Sequence, residues 1–163
     1  MAKELSHTAD GPIDGTIENW TSVVKGCAAN VGPAMGLPNC QVIATLKAPP
    51  AGLTGVAVTL EGVKPHVLIG VLSNQIGRAA IARAIFQMKP EERPKPEDET
   101  DAVGELANVI GGHVKSVMSP LDTTMRIGLP SAVSAEAFAA RSEQITLRVS
   151  FGSVPAALVV TRL

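Results

Sequence analysis

The sequence predicts an α+β fold made of two helix-plus-three-strand halves, an internal duplication whose strands form a mixed or antiparallel sheet packed against helices. Three observations predict it. Two stretches, near residues 14–30 and 101–115, carry apolar residues at i, i+3, i+4 and i+7, the period of a helix with one buried face. Each is followed by about three short alternating or apolar runs separated by Pro- and Gly-rich turns. A middle helix and a charged, proline-rich stretch separate the halves, so the order of elements repeats. At 163 residues with 45% apolar composition, the chain has the size of one domain, residues 1–163, with an adequate core.

The first helix is expected from Asp14 or Thr16 to about Asn30, burying Ile17, Trp20, Val24, Cys27, Ala28 and Val31, with Gly32-Pro33 ending or kinking it. Gln41 to Lys47 reads as a strand, Pro49 to Gly52 as a turn, and Val56 to Leu60 as a second strand. Glu61 to Pro65 makes the next turn. His66 to Leu72 is apolar enough for an interior strand. Ser73 or Asn74 can cap the middle helix, whose Ile76, Ala79, Ala80, Arg83 and Phe86 run toward Met88. Residues 89–99 hold three prolines among many charges and read as an exposed loop inside the domain. Thr100 or a neighbouring acid would cap the helix that follows. Strands are then expected at 123–129, around Val133, at 144–150 and at 156–161, with a break at Pro130.

The helix at 101–115 has an ordinary apolar face in Val103, Leu106, Ala107, Ile110, Val114 and Val117. On its other side, about 100° per residue stacks Asp101, Glu105, Asn108, Gly112 and Lys115 one turn above another. A carboxylate and a carboxamide one turn apart thus face solvent. Glu105 alone would pass for a solvated helix residue, Asp101 for a charge at the positive helix end, and Lys115 for a charge near the negative end. Asn108 is harder to explain, because asparagine is mediocre inside a helix and prefers caps and turns. Gly104, Gly111 and Gly112 each cost about 1 kcal/mol against alanine in a helix interior, so either another helix crosses closely or a partner approaches the backbone. The first half offers Asp14-x3-Glu18-x2-Thr21 against Asp101-x3-Glu105-x2-Asn108; with no carboxamide at Thr21 it would be a non-functional counterpart.

Composition removes several functions. A formal charge of −1, with Trp20, Phe86, Phe138 and Phe151 as the whole aromatic set, supplies neither the basic footprint nor the stacking platform of a nucleic-acid binder. No apolar run approaches the ~18 residues of a membrane span, and Met1 to Ser6 is too polar for a signal peptide, so a cytoplasmic protein is expected. Asn19-Trp20-Thr21 is then a coincidental glycosylation match. Cys27 and Cys40 lack metal or disulfide spacing, and His7, His66 and His113 are scattered, so no metal site is expected. A small-molecule enzyme has little support, since no nucleophile with its base, phosphate loop or dinucleotide fingerprint is present.

The string Asp101-x3-Glu105-x2-Asn108, the wider Glu-Leu-Ala-Asn-Val-Ile-Gly-Gly-His-Val-Lys and the downstream Leu129-Pro130 resemble the CheC, CheX and FliY chemotaxis phosphatases, CheX most of all. The likeness runs from about Lys64 to the C-terminus, the first fifty residues matching only in outline. It implies a CheC-like fold and an enzyme that removes the phosphoryl group from the aspartate of a CheY-like response regulator. By this resemblance Asn108 orients the hydrolytic water and Glu105 pairs with the regulator's lysine, with Asp101, Gly112 and Lys115 as further partner-binding positions. Mg²⁺ would belong to the regulator, this chain binding no cofactor. The resemblance also implies a homodimer joined through sheet edges, for which the flat, apolar Ala156 to Val160 is the expected edge. The competing reading is a non-catalytic module that docks on a receiver domain or assembles with a signalling partner.

Overall fold

A computed structural model describes residues 13–163. His7 and the polar stretch Met1 to Ser6 lie outside the described residues. The elements, in chain order, are α1 (Ile17–Ala34), β1 (Cys40–Leu46), β2 (Thr54–Glu61), β3 (Pro65–Ser73), α2 (Gln75–Ile85), α3 (Pro96–Met118), β4 (Arg126–Ile127), β5 (Ser131–Ser134), a short 3₁₀ helix (Ala135–Phe138), β6 (Gln144–Phe151) and β7 (Val154–Arg162). The α+β expectation holds, and the sheet is antiparallel throughout.

Its order is β1-β6-β7-β3-β2-β4, with β5 paired to β2 beside β4. Exchanging β1 with β5, β2 with β6 and β3 with β7 turns the path β1-β6-β7-β3-β2-β5 into its own reverse. The duplication is therefore real in the architecture: two hairpins meet at β3 and β7, and the first strand of each half pairs with the other half's hairpin. Leu68 opposite Thr161 and Val71 opposite Leu158 lie on this central seam.

β7 is thus interior, which overturns Ala156 to Val160 as a sheet edge. These five residues are buried, with β6 and β3 as hydrogen-bonded neighbours. The physical reason is that both sheet faces are covered here. The three helices pack on one face, while Phe138 of the 3₁₀ helix covers Ala57, Leu72 and Val159 on the other. A continuous apolar run marks a strand buried on both faces, the same signal that β3 carries.

The helices differ from expectation at their boundaries. Thr16 caps α1, its Oγ1 accepting from the Asn19 amide at 3.2 Å, and the helix continues through Pro33 to Ala34. α3 begins at Pro96 rather than near Asp101, so only 89–95 form the charged loop. Pro96 needs no amide partner in the first turn, and Asp98 Oδ2 accepts from the Lys95 amide at 3.0 Å. Glu97, Asp98 and Glu99 stand at the positive helix end, Glu99 buried with its Oε2 3.8 Å from Arg78 Nε. Asn74, not Ser73, caps α2. That helix is rotated about one residue from the expected face, with Gly77, Ile81 and Ala82 inward while Ile76 and Phe86 stay exposed. Gly77 sets the rotation, because a Cβ there would meet the Ser73 side chain and come within 2.9 Å of the Pro155 carbonyl.

A buried polar pair ties the α3–β4 connection to the sheet. His66 Nε2 lies 2.8 Å from Asp122 Oδ2, which also accepts from the Val63 amide at 3.0 Å. The Thr124 hydroxyl and amide donate to Oδ1 at 2.6 and 2.9 Å. Hydrogen bonds from His66 and Thr124, then from Val63, hold the Asp122 carboxyl well below the ordinary carboxylate range against the opposing effect of burial. Burial alone pushes the thiols of Cys27 and Cys40 up to about 11, so neither is a reactive thiolate. Because the Asp122 value is depressed by folding, its stabilisation is complete above the unfolded carboxylate range near ~4 and is lost as pH falls below it. Urea melts of wild type and Asp122→Asn should therefore differ clearly at pH 7 and converge progressively below about pH 4; a constant gap would assign the effect to packing.

Candidate functional site

α3 is the element that builds the site. Ala102, Val103, Leu106, Ala107, Ile110, Val114 and Met118 are buried, which turns Asp101 and Glu105 to solvent and leaves Asn108 half-exposed. The remaining wall comes from the chain beyond β4. Asp101, Glu105, Asn108, Leu129 and Pro130 line one shallow groove of about 530 Å³, floored by Val56 and Gly104 and bounded by Thr100 and Ala132. Sequence reading did bring Leu129-Pro130 toward the motif. Beyond breaking the chain between two strands, Pro130 stands in the groove wall.

Three of the polar side chains in this groove, those of Asp101, Glu105 and Asn108, have no side-chain partner among the described residues. Among the described residues, Asp101 and Glu105 take part in no ion pair. The Asn108 carboxamide makes no side-chain hydrogen bond among them, though the groove leaves it open to solvent. A group with two acceptor lone pairs and two donors, free of protein partners, can hold a water molecule. Thr100, by contrast, spends its hydroxyl on the Pro96 carbonyl at 3.1 Å. Gly112 and Lys115 lie further along the same helix, outside the groove; Lys115 sits in the last turn, where a cation complements the helix dipole.

The glycines divide into two kinds. At Gly111 a Cβ would come within 2.7 Å of Ile127 and 2.8 Å of Val58, so this glycine lets α3 lie close on β2 and β4. Gly104 faces Val56 and Pro130 with ordinary room. The close neighbour is the sheet, not a crossing helix. Gly112 faces open space, and nothing in the fold requires it.

The first-half counterpart presents no free polar side chain at its third position. Thr21 is buried and its hydroxyl donates to the Ile17 carbonyl at 2.7 Å, while Asp14 precedes α1 and bonds Thr16. Asp14 and Glu18 are exposed there, but Asp14 is engaged by Thr16 and lies off the helix. Among the described residues no cluster of three or more His, Cys, Asp or Glu could hold a metal ion, and no helix is long and apolar enough to cross a membrane.

A two-layer α+β domain with a pseudo-twofold sheet and a polar groove on its second long helix is the class that fold and site define. Residues 55–151, more than half of the chain, match the family described as chemotaxis phosphatase CheX, and the chain belongs to that family. A comparison with curated proteins finds no match. The fold is similar to CheX from Desulfovibrio desulfuricans, with TM-score 0.70 and 17% identity over 88% of this chain and 99% of that one. CheX from Vibrio vulnificus gives 0.67 and 18%, again covering 88% and 99%. A CheX–CheY–BeF₃–Mg²⁺ complex from Borrelia burgdorferi gives 0.63 and 15%, covering 93% and 99%.

The two adjacent glycines make a paired test of this reading of α3. Gly111→Ala should destabilise the fold by roughly 1–3 kcal/mol through overpacking. Gly112→Ala should stabilise it by about 0.5–1 kcal/mol through helix propensity. Denaturant midpoints of the two variants check both signs.

Proposed function

We propose that this chain hydrolyses the aspartyl phosphate of a CheY-like response regulator. The observation that carries the reading is the free Asn108 carboxamide one turn from the unpaired Glu105 in a groove open to a macromolecular partner. Family membership supports the same chemistry, and so does the receiver-bound Borrelia relative. An acyl phosphate reacts when water is held in line with the leaving carboxylate. A carboxamide can accept a hydrogen bond from that water and aim it without itself titrating. Attack forms the new P–O bond as the bond to the aspartate carboxylate breaks, and the water's proton passes to phosphate or solvent. Glu105 sets the register by pairing with a lysine of the regulator. The divalent ion that neutralises the phosphoryl oxygens comes with the regulator. Asp101 adds negative charge to the docking face, and Gly112 and Lys115 extend it.

Single-turnover decay of a phosphorylated receiver with Mg²⁺, at saturating protein, tests these roles. Asn108→Ala should slow the stimulated decay by roughly 10²-fold or more while changing affinity little, because its hydrogen bond to the attacking water acts in the transition state. Glu105→Ala should weaken both docking and rate, and stability should move by less than ~0.5 kcal/mol. Equal decay with wild type and Asn108→Ala would remove Asn108 from catalysis. Binding without any acceleration by wild type would leave a non-catalytic docking module.

The chain also assembles, on this proposal, as a homodimer through a sheet edge. With β7 interior, the candidate edge is β1. Its seven residues contain no charge and no proline, and Ile43 is 52% exposed at a bulge. Sedimentation equilibrium at tens of micromolar should give a dimer for wild type and a shift toward monomer for Ile43→Lys; a wild-type monomer would sink the assembly.

A further inference from the structure

The groove has two unlike walls. α3 supplies Asp101 and Glu105, two carboxylates without an ion pair among the described residues. The opposite wall is Leu129, Pro130 and Ala132, all exposed. Leu129 is 91% exposed, the most exposed large hydrophobic residue among those described. It is not a trailing side chain on a loose loop. Ile127 pairs with Leu60, the Gly128 amide donates to the Thr59 carbonyl at 2.9 Å, and Ser131 pairs with Ala57. Leu129 therefore stands at the apex of a short bridge tied to β2 at both ends, with Pro130 fixing its own φ.

A lone surface leucine needs no explanation. Leu129 does, because it continues into an exposed apolar rim and faces a negative wall across the groove that holds Asn108. A partner that fits both walls presents a cation with an apolar side chain beside it. We infer that the Leu129–Pro130–Ala132 rim receives an apolar side chain which the receiver carries next to its lysine, and that Leu129 selects among receivers. This rests on the response-regulator reading. It adds an apolar determinant on the wall opposite Glu105, acting on affinity and not on the attacking water.

The test uses the full chain and a panel of receiver domains from the same organism, each loaded with beryllofluoride and Mg²⁺ for titration and phosphorylated for single-turnover decay. Leu129→Ala should weaken affinity for the preferred receiver about tenfold, as expected when one leucine side chain is no longer buried on binding. Leu129→Asp should weaken it further and narrow the gap between preferred and poor receivers. The decay rate at saturation should stay within about twofold for both, the opposite of Asn108→Ala. Val63→Ala, at another exposed apolar residue away from the groove, should change nothing and so controls for general surface stickiness. Affinity within about twofold for both Leu129 variants overturns the inference while leaving the phosphatase reading intact. A changed dimer with unchanged receiver affinity overturns it too, in favour of self-association. Wild type that neither binds nor hydrolyses any receiver overturns the underlying reading and this inference with it.

Discussion

The close packing of α3 on β2 is the constraint from which the site follows. Val103, Leu106, Ile110, Val114 and Met118 are fully buried along one stripe, each contributing about 1.5–3 kcal/mol of gross burial energy. Turning the helix by one residue would expose part of that stripe. The helix-propensity disadvantage of Asn108 is only a few tenths of a kcal/mol. The apolar face therefore dictates where Glu105 and Asn108 point, and the polar face has no energetic say. Gly111 permits the approach, and the β4–β5 connection then meets the helix closely enough for Leu129 and Pro130 to form a groove with it.

The pseudo-twofold architecture shows how two similar halves come to differ. In both, a long helix covers the sheet, but only Asp101 and Glu105 share one helix; Asp14 precedes α1 and leaves Glu18 alone on it. In α1 the third position of the pattern has rotated into the protein, where Thr21 satisfies a backbone carbonyl. In α3 the same position holds a carboxamide that no backbone group claims. The two halves thus differ in where the helix starts and in the burial of one side chain rather than in fold.

Much of this was legible in the sequence because helical periodicity is strong over long helices. It placed most of the buried stripe and the exposed Asp101 and Glu105 correctly, with Asn108 half-exposed beside them, and the alternating and apolar runs placed most strands. The failures have specific causes. A proline-rich acidic stretch reads as loop, yet proline in a first turn and acids at a helix N-terminus also favour the start of α3, and composition does not separate the two. In α2 the apolar residues Ile76 and Phe86 outweighed Gly77 in the periodicity, although backbone proximity at the glycine decides which face turns inward. Strand order depends on pairings across the whole chain, so the central place of Ala156 to Val160 carried no local signal beyond its unbroken hydrophobicity. The exposure of Leu129 is likewise a property of tertiary placement.

The interleaved sheet also governs how the chain can reach this state. Cys40 pairs with Phe151 across more than a hundred residues, and the central seam joins Val67 to Arg162. Neither half can complete its own sheet, because each lends its first strand to the other. Pairings of such long separation make folding slow, since chain entropy is lost before the seam rewards it. During synthesis the β2–β3 hairpin would emerge with an unpaired apolar edge at β3 and wait for β7, the stretch made last among those described. Until β7 arrives, the open β3 edge is where two unfinished chains would exchange strands.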